Sequence, residues 1–411
     1  MGKPPQDRAR VRWRAIATPI FVAAAVAACA PLIWHSAIAP IAPPPRASFA
    51  ADAIVRGATL AAIGDCAVCH TATYAGGYGV KTPFGTIYAT NITPNPETGI
   101  GTWSEAAFRR AMRDGIGRNG QNLYPALPYP HFTRATDADI AALYAFIMTR
   151  APIRAPARPA ALPFPLNIRT VVAGWNLFFL HPGPWQPNPA LTAEQNRGAY
   201  LVEAVGHCGA CHTPHNLLGA EEAGRRFGGG VAEAWYAPAL GAGWSEDQLF
   251  RYLRTGYDAS HGAAAGPMTP VTMGLAAVPD ADVQAIAAYI ASLPASAPLV
   301  TPRAGTDSAG NAVFAGACGG CHGTDAPMTR DGAPSLALSS AVNAPTARDA
   351  VQVVLHGIPW REGTAAPYMP GFAGMLSDQQ VIDLVGYLRA HFSNKPAWSD
   401  IEALVREGRQ T

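Results

Sequence analysis

Apolar residues recur at helical spacing in three well-separated stretches: "TDADIAALYAFIMTR" from Thr136, "PDADVQAIAAYIASL" from Pro279 and "SDQQVIDLVGYLRAHF" from Ser377. Each opens on Thr, Pro-Asp or Ser-Asp with acids in the first turn, as a helix N-terminus favours. Upstream of each lies a second helical pattern: "RGATLAAIGDCAVCH" from Arg56, "RGAYLVEAVGHCGACH" from Arg197 and "AGNAVFAGACGGCH" from Ala309. The pattern predicts one helical unit used three times. Each closing helix carries an aromatic residue at a matching place, Tyr144, Tyr289 and Tyr387, read as core packing.

Proline-rich segments at 39–46, 151–166, 181–189 and 293–303 separate the units. The expected division is 1–50 for an N-terminal tail, anchor and linker; 51–152 for the first unit; and 153–190 for a Pro- and aromatic-rich connector. The second unit follows at 191–296, the third at 297–395, and a C-terminal tail at 396–411. One further apolar run has a different length. From Ala15 to Trp34, twenty residues pass without a charge, about what a helix needs to cross a bilayer. Lys3, Arg8, Arg10, Arg12 and Arg14 precede it against one acid, Asp7. By the positive-inside rule this predicts a single N-terminal anchor in a bacterial inner membrane, with the remainder in the periplasm. A cleaved signal is the competing reading, and "VAAC" ending at Cys29 also resembles a lipoprotein processing site.

Composition narrows the picture. Only 14% of the 411 residues are charged, and the 38 prolines and 41 glycines imply many loops between short helices. A net charge of +2 without a basic stripe beyond the N-terminus gives no case for nucleic acid. No G-x-G-x-x-G opens a βαβ unit and there is no P-loop; "FGGG" at 227–230 reads as a glycine turn.

The cysteines carry the chemistry. Six of seven fall into three copies of C-x-x-C-H: Cys66, Cys69 and His70; Cys208, Cys211 and His212; Cys318, Cys321 and His322. That motif attaches haem c, the two thiols adding to the porphyrin vinyl groups and the histidine lying under the iron. A redox dithiol or half a zinc site explains one copy, but not three, each with its adjacent histidine. An opening and a closing helix beside a haem make a mainly α fold of three tandem cytochrome c-type domains behind the anchor.

A second axial ligand is sought in the middle of each unit. "WSEAAFRRAMRDGIG" from Trp103 and "WSEDQLFRYLRTGYD" from Trp244 align without a gap. Twenty-four residues after Trp244 stands Met268, and the third unit offers Met369; both are expected distal ligands beside stiffening prolines. Twenty-four residues after Trp103 stands Leu127, which cannot ligate iron. The first haem is then five-coordinate under leucine, or takes His131, four residues on, or takes a more distant side chain. Bis-histidine ligation would lower its potential relative to histidine–methionine.

These residues resemble a known family. "TPFGTIYATNITPNPETGIGTWSEAAFRRAMRDG", "LYPALPYPHF", "AGWNLFFL", "NRGAYLVEAVGHCGACHTPHNLLG" and "GPMTPV" are similar to the tri-haem cytochrome c subunits of membrane-bound bacterial dehydrogenases, from about residue 50 to 395. The resemblance implies three covalent haems and electron transfer from a periplasmic catalytic partner to ubiquinone, without substrate chemistry on this chain. Leu127 departs from the alcohol and gluconate dehydrogenase cytochromes, which carry methionine in that slot. Together with "IAPIAPPP" and "LAAIGDCAVCHTA", the departure looks more like cytochromes serving molybdopterin hydroxylases with a [2Fe–2S] subunit, which act on aldehydes, nicotinate or isoquinoline. An aldehyde dehydrogenase is the expected partner. A quinoprotein alcohol dehydrogenase or a flavoprotein gluconate, sorbitol or fructose dehydrogenase is the alternative. A peroxidase-like enzyme at an open first haem and a general shuttle to an oxidase are readings of other classes.

Overall fold

The computed structural model describes residues 35–294 except 242, residues 308–323 and 326, and residues 335–360 and 368–410. It is mainly helical, with three two-stranded antiparallel hairpins as its only sheets among those residues. The opening helices are Ala51–Ile63, Ala193–Tyr200 and Ser308–Ala317; the closing helices are Asp137–Met148, Asp280–Ser292 and Asp378–Phe392. Thr136 and Ser377 cap two closing helices through their side chains, whereas Pro279 offers no acceptor. A missing cap of this kind costs about 1 kcal/mol.

Opening and closing helices cross at a glycine in every unit. A Cβ on Gly57, Gly198 or Gly310 would land on the carbonyl oxygen of Ala142, Ala285 or Asp383. Bare backbone at the crossing lets the helices meet at closest approach, and four residues further on stand Phe146, Tyr289 and Tyr387 against the same glycines. The aromatic that matches Tyr289 and Tyr387 is therefore Phe146. Tyr144, the expected counterpart, is two residues out of register and donates its hydroxyl to the Trp103 carbonyl at 2.7 Å. Arg56–Asp139 (2.6 Å) and Arg197–Asp282 (2.9 Å) repeat one ion pair across the first two crossings.

The units are not three equal beads. One apolar core runs through the first two, from Leu60 to Ile290, and the third has its own around Val351, Leu384 and Val385. Units one and two pack reciprocally. Gly64 faces the Val205 carbonyl while Gly206 faces Ile63, and helix Met268–Leu275 touches the first opening helix through Gly274 and Ala62. Tyr200 donates to buried Asp139 at 2.5 Å across the same seam. Unit three docks on the hairpin Gly230–Ala232/Trp235–Ala237 of unit two, where Asp349 accepts from the Tyr236 amide at 2.7 Å.

Two expectations change. Among the described residues no helix is long and apolar enough to cross a membrane. The longest, Asp378–Phe392, has 15 residues, about 22 Å of rise against a hydrocarbon core of about 30 Å. The single N-terminal anchor is thus not supported, and the run Ala15–Trp34 that suggested it lies outside the described residues. The expected C-terminal tail instead ends in a helix, Ile401–Gly408, that buries Leu404 and Val405 against unit three.

Candidate functional site

Each C-x-x-C-H forms a short helical turn after its opening helix: Cys66–His70, Gly209–His212 and Gly319–His322. From Gly57 to Cys66 there are nine residues, and from Gly198 to Cys208 there are ten. The extra residue is taken up by a π-helical turn, Leu201–Val205, closed by the Gly206 amide on the Leu201 carbonyl at 2.6 Å. π-turns absorb single insertions without breaking a helix. Here the turn brings buried Glu203 to the seam between units one and two.

Two of the motif histidines are held by backbone carbonyls. His70 Nδ1 lies 2.7 Å from the Thr90 carbonyl, and His212 Nδ1 lies 2.6 Å from that of Pro238. A carbonyl only accepts, so Nδ1 carries the proton and Nε2 keeps its lone pair for a metal. Burial lowers the pKa of His70, His212 and His322, keeping the rings neutral. The thiols lean the other way. Burial, then the Asp65 charge, pushes Cys66 and Cys208 up to about 12, and burial pushes Cys318 up to about 11. Such thiols are protonated at neutral pH, unlike the reactive thiolate of a redox dithiol.

The three motifs open onto one continuous apolar cavity of about 3090 Å³, against roughly 300–1,000 Å³ for one small-molecule site. Its walls include Cys66, His70, Cys208, His212, Cys318 and His322, and also Leu127, Met268 and Met369. The distal residues share a frame. The helices Glu105–Asp114, Glu246–Thr255 and Arg348–His356 each end on a glycine of positive φ: Gly115 (63°), Gly256 (73°) and Gly357 (74°). Twelve residues after each glycine stands Leu127, Met268 or Met369. Met369 is pinned by a two-bond backbone bridge to Ile358 (2.9 and 3.0 Å), and Met268 starts a helix between Pro267 and Pro270. The Leu127 loop is braced by the connector helix Val171–Phe179, since Tyr129, packed on Gly115, donates to Asn176 at 2.5 Å.

His131 points elsewhere. Its Nδ1 meets the Glu203 carbonyl at 2.9 Å and its Nε2 meets Glu221 at 2.5 Å, so both nitrogens engage unit two. Its ring edge lies against Gly209, inside the second attachment motif. The residue weighed as one of three outcomes for the first haem thus abuts the attachment loop of the second. Glu203, Asn176 and the Thr90 and Pro238 carbonyls carried no motif; only the extra residue before Cys208 hinted at the π-turn.

The residues fit haem. The cavity is apolar and lined by five of the six motif thiols, all but Cys321, and His70 and His212 present Nε2. Comparisons agree. The family model "Cytochrome c" matches residues 54–151 and 308–391, and the model "Cytochrome C oxidase, cbb3-type, subunit III" matches 193–290. The fructose dehydrogenase cytochrome subunit of Gluconobacter japonicus is 35% identical over 89% of this chain and 85% of its own. The chain belongs to the cytochrome c subunits of bacterial dehydrogenases. The cytochrome c subunit of alcohol dehydrogenase (quinone) from Gluconacetobacter polyoxogenes is 36% identical over 87% of this cytochrome and 84% of its own length. A nicotinate dehydrogenase subunit from Pseudomonas putida is 47% identical over 97% of this cytochrome, which spans about a third (35%) of that longer chain.

Proposed function

We propose that this cytochrome binds three haems c, one in each of three tandem domains, and relays electrons from a catalytic dehydrogenase subunit to a quinone. The observation that carries the reading is the single cavity joining three C-x-x-C-H turns. Bound haem supplies one-electron exchange at iron; the chain's own residues attach it, orient it and keep water from it. Cys66 and Cys69, Cys208 and Cys211, and Cys318 and Cys321 hold the three groups. His70, His212 and His322 are the proximal ligands, and Met268 and Met369 the distal ones. Leu127 closes an apolar distal side in the first domain, with His131 engaged in the seam. Ubiquinone is the acceptor we favour, because an alcohol dehydrogenase cytochrome of similar length is named for quinone.

The partner we favour is a molybdopterin hydroxylase with a [2Fe–2S] subunit. The similarity to the nicotinate dehydrogenase chain supports this class. It favours an N-heteroaromatic carboxylate as the partner's substrate, beside the aldehyde that the sequence resemblance implied. The test is to purify the haem-loaded chain with whatever binds it and to add an aldehyde or nicotinate. Reduction of the haems through a molybdenum-containing partner is expected. A bound flavoprotein or quinoprotein that reduces them instead would replace this partner class.

A further inference from the structure

Every unit turns the same face of one helix to the main cavity. Helix Glu105–Asp114 contributes Phe108, Ala111 and Met112 to its wall, and helix Glu246–Thr255 contributes Leu249, Tyr252 and Leu253 at the matching positions. Helix Arg348–His356 contributes Ala350, Val353 and Val354. The last of each trio stands three residues before the glycine of positive φ, so Met112, Leu253 and Val354 share one slot. All three are buried. Leu127, Met268 and Met369 share the other slot, twelve residues after those glycines.

In units one and two these slots hold the same two side chains, exchanged. Unit two has leucine on the helix and methionine on the loop. Unit one has methionine on the helix and leucine on the loop. Leucine and methionine are close in volume, so the exchange keeps the wall filled. Among the described residues, methionine lines the cavity only at Met112, Met268 and Met369, one in each unit. Met148 is buried away from it, and Met273 and Met375 are exposed.

We infer that Met112 is the distal ligand of the first haem, supplied from the helix instead of the loop; the assignment rests on the three-haem reading above. The unbranched thioether side chain has three rotatable bonds and can reach out where leucine in the same place only packs. Its sulfur is a donor that haem iron takes opposite a histidine. Two histidines of that region are engaged: His131 at both nitrogens in the seam, and His207 through Nε2 on the Gly64 carbonyl at 3.2 Å. The helix that carries Met112 is fixed at both ends. Ser104 accepts from the Ala107 amide at 3.2 Å, and the Gly115 amide donates to the Ala111 carbonyl at 3.2 Å. A ligand mounted there leaves the first iron no open position, which removes the basis for a peroxidase-like centre.

The test counts thioether-ligated haems in the haem-loaded protein. Near-infrared thioether-to-iron absorption, calibrated against haem content, is expected from three haems in the wild type. In the reduced protein labelled with methyl-13C methionine, three of the eight methionine methyls are expected far upfield, shifted by the porphyrin ring current. Met112→Leu should remove one of each signal, leave one high-spin centre and raise its carbon monoxide affinity by roughly tenfold or more. Adding Leu127→Met to that variant should restore the third signal from the loop. A wild type that holds three haems but shows two such signals would overturn Met112 as ligand and leave the relay standing, whether or not Met112→Leu folds. Three signals that survive in a folded Met112→Leu protein would overturn it equally. A wild type with no haem on Cys66 and Cys69 would overturn the ligand and the three-haem reading together.

Discussion

His131 Nε2 lies 2.5 Å from Oε1 of Glu221, a carboxylate ninety residues further along the chain. The contact joins the distal loop of the first unit to the attachment loop of the second. Replacing His131 by alanine leaves Glu221 and the Glu203 carbonyl without a partner. That should cost about 1–3 kcal/mol in denaturant unfolding. The spin state and carbon monoxide affinity of the first haem should not change; a shift from low to high spin would place His131 on iron instead.

The same contact predicts an acid limb. Burial pushes the Glu221 carboxyl up, but the His131 hydrogen bond and charge, with His215 and Arg226, outweigh it and bring it below its ordinary value. A depressed folded value contributes stability that is present above the unfolded pKa of about 4.3 and lost as pH falls through the folded one. Glu221→Gln should flatten stability against pH in that acid window. An unchanged acid limb would mean another carboxylate carries it.

Leu127→Met places a thioether twelve residues after Gly115, as Met268 and Met369 stand after Gly256 and Gly357. Added to Met112→Leu, it should raise near-infrared thioether-to-iron absorption from two haems to three. No gain in that band would mean that Leu127 does not face the first iron.

Much of this frame was legible because glycine leaves a signature in sequence. The tryptophan-to-glycine spacing set the Leu127 and Met268 register, and the structure extends it to Met369 through Gly357. Tyr144 misled because the first closing helix carries two aromatics, Tyr144 and Phe146, on different faces and both buried, so a core role does not choose between them. The crossing glycines, Gly57, Gly198 and Gly310, would have chosen Phe146. The shared core of the first two units and the turning of His131 into their seam were not legible. Both depend on how one repeat sits on another, and repeats with the same local pattern can pack in several ways.

Gly198→Ala tests the crossing directly. Its Cβ would meet the Ala285 backbone, which cannot rotate away as a side chain can. The closing helix must shift, at a cost of about 1–3 kcal/mol or more, read as a lower melting temperature. Gly174→Ala, where a Cβ meets nothing, is the control and should be neutral or better.

Docking of the third unit should depend on pH through Asp349. Burial lifts its carboxyl to about 6, against the opposing pull of the Tyr236 amide. A raised folded value means stability that is full below the unfolded pKa of about 3.9 and is lost as pH rises through about 6. Asp349→Asn keeps an acceptor for the amide and should remove that loss, measured as proteolysis between units two and three at pH 5 and pH 7.5. Equal pH dependence in both proteins would exclude Asp349 as the cause.

The most direct test of the relay is the amount of haem held covalently by one chain. Intact mass after acid–acetone extraction, with a pyridine haemochrome assay, should give three haems per polypeptide, and His70, His212 or His322 replacements should each perturb one centre. Two haems or fewer, with the remaining motif thiols open to alkylation, would contradict the account.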